Sequence, residues 1–164
     1  MALQVAKKRL AIGAGMGGIM LATAAVVSHW EGTTTYIYRD IVGVPTFCTG
    51  ETDLSHYRPN MTIDECRTLL IKRLPYYVEP VRRCVGRDDL PPSMWVAFFS
   101  NAYNIGVTAF CRSSMARLAR AGDFKGACAA LSLYTIAGGK TVKGLINRRG
   151  DAVWGERTIC EQDL

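Results

Sequence analysis

The first long apolar stretch of the chain runs from Leu10 to Val27 and contains no charged residue. Its length is close to the minimum for a helix that crosses the hydrocarbon core of a bilayer. Lys7, Lys8 and Arg9 precede it, so the positive-inside rule predicts a cytoplasmic N-terminus and an outward-facing remainder. Four glycines and five alanines in the stretch weaken both the helix and its transfer into lipid. The pattern therefore predicts a weak membrane anchor.

Three fates of this segment stay open. A permanent anchor conflicts with the low hydrophobicity. A cleaved signal peptide is suggested by Ala22 to Ala24, which resemble a signal-peptidase site, but cleavage there would leave Glu31 beside a frayed terminus. We favour an uncleaved, reversible anchor that leaves the bilayer and packs its small residues against the rest of the protein. On this hypothesis residues 1–28 form the anchor and residues 29–164 the soluble domain.

The stretch after the anchor alternates like a β-strand. In TYIYRDIVGVPTFCT, which begins at Thr35, side chains alternate about a reversal at Gly43, which predicts a small antiparallel hairpin. Pro45 lacks an N–H for the sheet, so it marks an edge or a bend.

After the hairpin, the apolar residues recur at the spacing of an α-helix. Thr62 and Glu65 form a capping box before a helix that we expect to reach about Tyr77, with Pro75 bending or loosening its end. The face that we expect to be shared by its apolar residues comprises Ile63, Cys66, Leu69, Leu70 and Leu74.

A second helix is apolar on nearly every side. Pro91 and Pro92 open it, its sequence is PSMWVAFFSNAYNIG, and Gly106 ends it. Shorter helices follow over RSSMARLARAG, over DFKGACAALSLY with Asp123 as N-cap, and over KTVKGLINRRGDAVWGERTIC. Without an internal repeat or strand–helix alternation, the sequence predicts an α+β fold that is mostly α. It would have a small β-hairpin lobe and a helical lobe around the central apolar helix.

The length and net charge of the chain limit the number of domains and the kind of partner that it would bind. A chain of 164 residues suits one domain with its own core, and we expect a monomer. The net charge of +6 favours an anionic polymer as partner. Basic pairs such as Arg148 and Arg149 are scattered without the interleaved aromatics of a nucleic-acid groove, so we expect no nucleic-acid partner and treat them as mainly solvated surface.

Six cysteines are spread along the chain with no CxxC pair and no histidine at zinc-ligand spacing. This pattern predicts no metal site. Behind an apolar N-terminus, an even and dispersed set is typical of disulfides formed outside the cytoplasm. The spacing alone leaves the connectivity open.

Glu31, Asp40 and Thr46 place two carboxyl groups and a hydroxyl around the predicted hairpin. Two carboxyl groups that flank a cleft are the usual means of cutting a glycosidic bond. Burial at the end of an apolar helix would keep Glu31 protonated as an acid, whereas Asp40 would stay charged. The hydroxyl of Thr46 would help Asp40 to hold the attacking water, which predicts inversion at the anomeric carbon. These are common residues, and the triplet alone carries little information.

The spacing of the triplet is similar to the Glu-x8-Asp-x5-Thr motif of the phage lysozyme family, glycoside hydrolase family 24. TFCTG at residues 46–50, YNIG at 103–106, AGDFKGAC at 121–128 and GLINRRGDAVW at 144–154 look like their counterparts there. Together with the weak anchor, the chain most resembles the signal-anchor-release endolysins of phages that infect Gram-negative bacteria. The resemblance implies host lysis by a muramidase that hydrolyses the β-1,4 bond between N-acetylmuramic acid and N-acetylglucosamine in peptidoglycan. It implies Glu31 as the acid, Asp40 and Thr46 as the residues that position the water, and no cofactor.

The same resemblance implies that Gly50, Tyr103 and Asn104 line the sugar groove, although Tyr103 as a core aromatic has equal weight. Glu51 stands where many members carry histidine, so it would add a negative charge to the rim near Asp40. We expect the disulfides Cys48–Cys66, Cys84–Cys111 and Cys128–Cys160.

The chain has no cysteine before Cys48, so it resembles the members whose anchor carries no cysteine. In those members, release from the membrane lets the anchor fold into the domain and complete the cleft. We therefore expect the export machinery to place the chain in the host inner membrane through residues 10–27, with the catalytic domain in the periplasm, before release into the periplasm in soluble form.

Several alternatives remain open. A lytic transglycosylase needs one acid and no held water, and a wall-binding protein anchored in the membrane needs no acid. His29 and His56 are expected to be structural or on the surface, because neither has a nucleophile partner in the sequence. Arg148 and Arg149 either support Glu31 or cap a helix.

Overall fold

The first helix belongs to the folded core. The computed structural model describes residues 9–13, 15–40, 42–150 and 153–164, so Lys7 and Lys8 of the predicted basic flank lie outside the described residues. Helix α1 spans Gly15–Glu31, so it starts after the predicted Leu10 and continues beyond Val27. Its buried residues are Ile19, Ala22, Thr23, Ala24, Val26 and Val27.

The stretch before α1 is held by the other end of the described chain. The Leu10 amide donates to Gln162 Oε1 at 2.9 Å, and Gln162 Nε2 donates to the Leu10 carbonyl at 2.9 Å. Arg9 Nη2 lies 3.1 Å from Asp163 Oδ1. Leu10 and Ile12 pack against the main core. Taken over the described part of the chain, no helix combines the length and apolarity needed to cross a membrane.

The predicted hairpin is confirmed. Strands β1 (Thr34–Arg39) and β2 (Pro45–Cys48) pair antiparallel, with Tyr38 opposite Thr46 and Arg39 opposite Pro45. Gly43 lies in the connecting turn at φ +85°, a conformation that glycine adopts without steric cost.

The next two helices meet at a proline. Helix α2 spans Ile63–Arg73, and its predicted capping box is present: Thr62 Oγ1 accepts from the Glu65 amide at 3.2 Å while Glu65 Oε2 accepts from the Thr62 amide at 2.8 Å. The expected end near Tyr77 is wrong, because helix α3 (Pro75–Val85) follows directly. Pro75 occupies the first helical position, where its missing N–H costs nothing. Ile63 is half exposed, unlike the buried Cys66 and Leu70 of the predicted face.

Helix α4 is the predicted central helix. It spans Pro92–Ile105, and Gly106 follows at φ +89°. Every residue from Ser93 to Ala102 is buried, and α1 and α9 pack against it. Helices α5 (Val107–Cys111), α6 (Ser114–Arg120) and α7 (Phe124–Ala130) follow in short succession. The predicted cap of α7 is present, since Asp123 Oδ1 accepts from the Gly126 amide at 2.9 Å.

The C-terminal region departs from the predicted single helix. Strands β3 (Ile136–Ala137) and β4 (Lys140–Thr141) form a second, exposed hairpin before helix α8 (Lys143–Arg149). Helix α9 spans Glu156–Cys160. Gly150 ends α8 and Gly155 caps α9, so the helical pattern of the sequence is broken at two glycines.

The fold class is confirmed as mostly helical with a small sheet lobe, and the second hairpin is an addition to the prediction. The predicted disulfides are also present, joining Cys48 to Cys66, Cys84 to Cys111, and Cys128 to Cys160. The first of them ties the hairpin lobe to α2.

Candidate active site

Glu31 is the last residue of α1 and faces an arginine. Gly32 follows at φ +73° and donates its amide to the Ser28 carbonyl at 3.0 Å, which turns the chain from the helix toward β1. Arg148 Nη1 donates to Glu31 Oε1 at 2.5 Å, and 30% of the Glu31 side chain is exposed. The expected apolar surroundings are therefore wrong in one respect, because a cation lies directly against the carboxyl group.

The end of α1 is fixed by aromatic contacts. The ring of His29 stacks on Trp154 with 4.8 Å between centroids. Trp30 Nε1 donates to the Trp154 carbonyl at 2.8 Å. His29 thus has the structural role that the sequence predicts, and it helps to set the position of the adjacent Glu31.

Arg148 belongs to a buried polar network that we call the Glu156 cluster: Ser100, Asn101, Arg148, Arg149 and Glu156. Arg148, Arg149 and Glu156 expose 4%, 0% and 0% of their surface, so the prediction that the two arginines are mainly solvated surface is wrong. The alternative that they support Glu31 is confirmed for Arg148, which contacts it directly. A buried charge is tolerated only with partners, and these three charges are paired with one another.

Each oxygen of Glu156 accepts two hydrogen bonds. Oε1 accepts from Ser100 Oγ and from Arg148 Nε, both at 2.9 Å. Oε2 accepts from Asn101 Nδ2 at 2.9 Å and from Arg149 Nη1 at 2.7 Å. Because the carboxylate is fully engaged, it holds both guanidinium groups in fixed orientations.

Each of the two arginines also contacts a residue that was predicted for the site. Arg148 uses Nε for Glu156 and Nη1 for Glu31. Arg149 uses Nη1 for Glu156 and Nη2 for Asn104 Oδ1, the latter at 2.5 Å. Burial lowers the pKa of Arg149, and the charge of Glu156 opposes that shift.

Asp40 and Thr46 lie together at the far end of the first hairpin. The Asp40 amide and Thr46 Oγ1 both donate to the Val44 carbonyl, each at 3.0 Å. Asp40 Oδ1 accepts from the amides of Val42 at 2.9 Å and Val44 at 2.8 Å. The turn therefore orients the carboxylate by backbone donors, and Thr46 is buried beneath it at 4% exposure.

Tyr103 on α4 joins the helical lobe to the loop after β2. Its hydroxyl donates to the Thr49 carbonyl at 2.6 Å, and burial raises the pKa of that hydroxyl. Its ring packs against Tyr77 at 4.8 Å between centroids. Gly50 has φ +79°, and a Cβ there would lie 3.5 Å from the Tyr103 hydroxyl.

Glu51 is turned inward. It exposes 12% of its side chain, and its Oε1 accepts from the amides of Thr52 and Asp53 at 2.8 Å. Arg73 Nη1 lies 3.4 Å from Glu51 Oε1 and donates to the Gly50 carbonyl at 3.1 Å, while His56 Nδ1 lies 3.7 Å from Glu51 Oε2. The expectation of an added negative charge on the rim is wrong, since Arg73 offsets it.

We expect Tyr103→Phe to lower activity several-fold and the free energy of unfolding by about 1 kcal/mol, because the Thr49 carbonyl loses its donor. Thermal unfolding and initial rates on purified murein measure the two effects. Tyr76→Phe is the matched control, since Tyr76 is 78% exposed. Equal rates for both variants would contradict a positioning role for the Tyr103 hydroxyl.

Glu156 and Arg73 were not predicted from the sequence to belong to the site. Glu156 could have been found, because Glu156, Ile159 and Cys160 recur at the spacing of a buried helix face. A carboxylate on such a face requires cationic partners. Arg73 left no comparable pattern, since its contacts with Gly50 and Glu51 are made across the fold. No group of histidine, cysteine and acidic side chains in the described ranges could hold a metal ion.

Comparison with known proteins gives concordant results. The Phage lysozyme family model matches residues 28–152. The chain is 37% identical over 160 residues to the SAR-endolysin of Enterobacteria phage P21, covering 93% of this chain and 94% of that protein. It is 35% identical over 160 residues to the SAR-endolysin of Enterobacteria phage PA-2, with the same coverage. Among solved structures, the muramidase domain of SpmX from Asticaccaulis excentricus has a similar fold. Its TM-score is 0.74 at 24% identity, over 85% of this chain and 95% of that one.

Proposed function

We propose a catalytic mechanism for a chain that belongs to the phage lysozyme family and is, as a member, an endolysin that hydrolyses peptidoglycan. The bond cut is the β-1,4 linkage between N-acetylmuramic acid and N-acetylglucosamine. The observation that carries the mechanism is the placement of Glu31 at the end of α1, immediately before the strand that leads to Asp40.

Glu31 acts as the general acid in this proposal. Protonation of the glycosidic oxygen requires a carboxyl group whose orientation is fixed before the sugar binds. The contact with Arg148 and the turn at Gly32 supply that orientation. The 30% of the side chain that is exposed leaves the carboxyl group accessible to bound murein.

Asp40 and Thr46 position the attacking water. Asp40 accepts two backbone hydrogen bonds on Oδ1, so the orientation of its carboxylate is held. The Thr46 hydroxyl already donates to the Val44 carbonyl, which leaves its lone pairs to accept a hydrogen bond from the water. A water held by these residues attacks opposite to the departing sugar, gives its proton to the Asp40 carboxylate and inverts the anomeric carbon.

Product analysis tests this chemistry. We expect digested murein to carry reducing-end N-acetylmuramic acid, identified by mass spectrometry, with the α-anomer dominant in NMR spectra recorded during the first turnovers. Anhydro-muramic acid would indicate a lytic transglycosylase, which needs no held water. An initial β-anomer would contradict inversion.

We also propose that α1 is the reversible membrane anchor. In the folded state its small residues pack against α4, and Glu31 lies on the same helix. While residues 10–27 remain in lipid, the acid is not in place beside Arg148. The host inner membrane is then the site of the inactive enzyme, and the periplasm is the site of the active one.

A further inference from the structure

The Glu156 cluster touches Glu31 through Arg148, and it contains more charged groups than are needed to position Glu31. Arg148 would orient Glu31 with a single hydrogen bond, yet a second buried arginine and a buried glutamate accompany it. The cluster therefore places two further charges behind the arginine that contacts Glu31.

Glu156 offsets one of the two positive charges beside Glu31. With Glu31 protonated, as an acid must be, the two arginines and Glu156 together carry a net charge of +1. Without Glu156 that net charge would be +2, and none of the other described residues supplies a buried anion to these two cations. Cations near a carboxyl group favour its ionised form, which has no proton to donate.

We propose that Glu156 is a positioning residue that keeps Glu31 usable as an acid, by offsetting the field of Arg148 and Arg149 and by fixing the orientation of Arg148. This inference rests on the proposed role of Glu31. Glu156 does not contact the sugar, because its exposure is 0% and its four acceptor sites are occupied by Ser100, Asn101 and the two arginines.

The groups that act on Glu31 come from three helices. Arg148 and Arg149 face it from α8, and Glu156 lies behind them on α9. Tyr103 faces it from α4 and stays neutral in the working range, because burial raises the pKa of its hydroxyl. Among the described residues, the charged groups that contact Glu156 are the same two arginines, and α4 contributes the neutral Ser100 and Asn101.

Opposite substitutions in the cluster should move the pH dependence of turnover in opposite directions. Glu156→Gln removes the negative charge, so Glu31 loses its proton at lower pH and the alkaline limb of the profile moves down by about one pH unit. Arg149→Met removes a positive charge, so that limb moves up by a similar amount. The double variant Glu156→Gln/Arg149→Met has the same net charge in the cluster as the wild type, and its limb returns toward that of the wild type.

The experiment measures initial rates on saturating purified murein between about pH 4 and pH 9 for the wild type, Glu31→Gln and the three cluster variants. Thermal unfolding of each protein reports whether it folds. If Glu156→Gln does not fold, Arg149→Met alone carries the test, because it keeps the Glu156–Arg148–Glu31 contacts. A return of the limb in the double variant supports the charge argument, since a merely structural role predicts further damage from a second substitution.

The results distinguish a failure of the inference about Glu156 from a failure of the proposed function. An active wild type whose alkaline limb stays unmoved in a folded Glu156→Gln or Arg149→Met protein would overturn this inference and leave the proposed function standing. Full activity of Glu31→Gln would instead overturn the proposed function.

Discussion

Glu31→Gln is expected to lower the rate of murein hydrolysis by about a thousandfold, because the proposed general acid is removed. Glutamine has the same size and shape, and its Oε1 still accepts from Arg148 Nη1, so the contact at the end of α1 survives. The amide has no acidic proton to give to the glycosidic oxygen. The loss therefore belongs to the chemical step rather than to folding.

Clearing of chloroform-treated Gram-negative cells and a murein zymogram measure this loss. Glu79→Gln is the matched control, because it makes the same chemical change on a side chain that is 62% exposed on α3. Thermal unfolding of the two variants should differ little from that of the wild type. Clearing by Glu31→Gln at the rate of the Glu79→Gln control would refute the assignment of the acid.

Leucines on the exposed face of α1 should trap the protein in the membrane and prevent lysis. Gly17 and Ala25 are exposed in the folded state, and a Cβ at Gly17 meets nothing within 4 Å. Gly17→Leu together with Ala25→Leu therefore leaves the packed fold intact. Each leucine adds roughly 2 kcal/mol to the free energy of transfer into lipid, which shifts the anchor toward the bilayer.

The choice of these two positions keeps the test specific. At Gly18 an added Cβ would overlap the backbone of Gly13, and Gly15 has φ +75°, so leucine there would also damage the folded enzyme. Membrane fractionation and the lysis time of expressing cells give the readout, with Gly17→Ser/Ala25→Ser as the control. The purified leucine variant should still digest murein. Undiminished lysis by cells that express it would rule out the release mechanism.

Local patterns predicted the parts of the fold that local interactions determine. The turn at Gly43, the capping box of Thr62 and Glu65, and the apolar helix that opens at Pro92 each depend on residues close in sequence. The expected end of α2 near Tyr77 failed for a related reason. A proline can either end a helix or begin the next one, and the sequence does not distinguish these cases at Pro75.

The Glu156 cluster shows what local patterns leave out. Adjacent arginines at Arg148 and Arg149 look like surface charge, because their common partner lies on a separate helix beyond two glycines. Only packing against α4 brings Ser100 and Glu156 to them. The triplet Glu31, Asp40 and Thr46 was found from its spacing, and Arg148 was one of two arginines considered as a support of Glu31, whereas Glu156 required the tertiary structure.

The disulfides cross-link the part of the chain from Cys48 onward and leave α1 outside the cross-linked region. All three bonds join residues from Cys48 onward, so no covalent cross-link can fasten α1. Van der Waals contacts hold that helix, together with hydrogen bonds such as those between Leu10 and Gln162. Both kinds of contact form and break without any covalent change. In the proposed release mechanism, the disulfide-bonded remainder is already folded outside the cytoplasm, and α1 docks onto it without the making or breaking of a covalent bond.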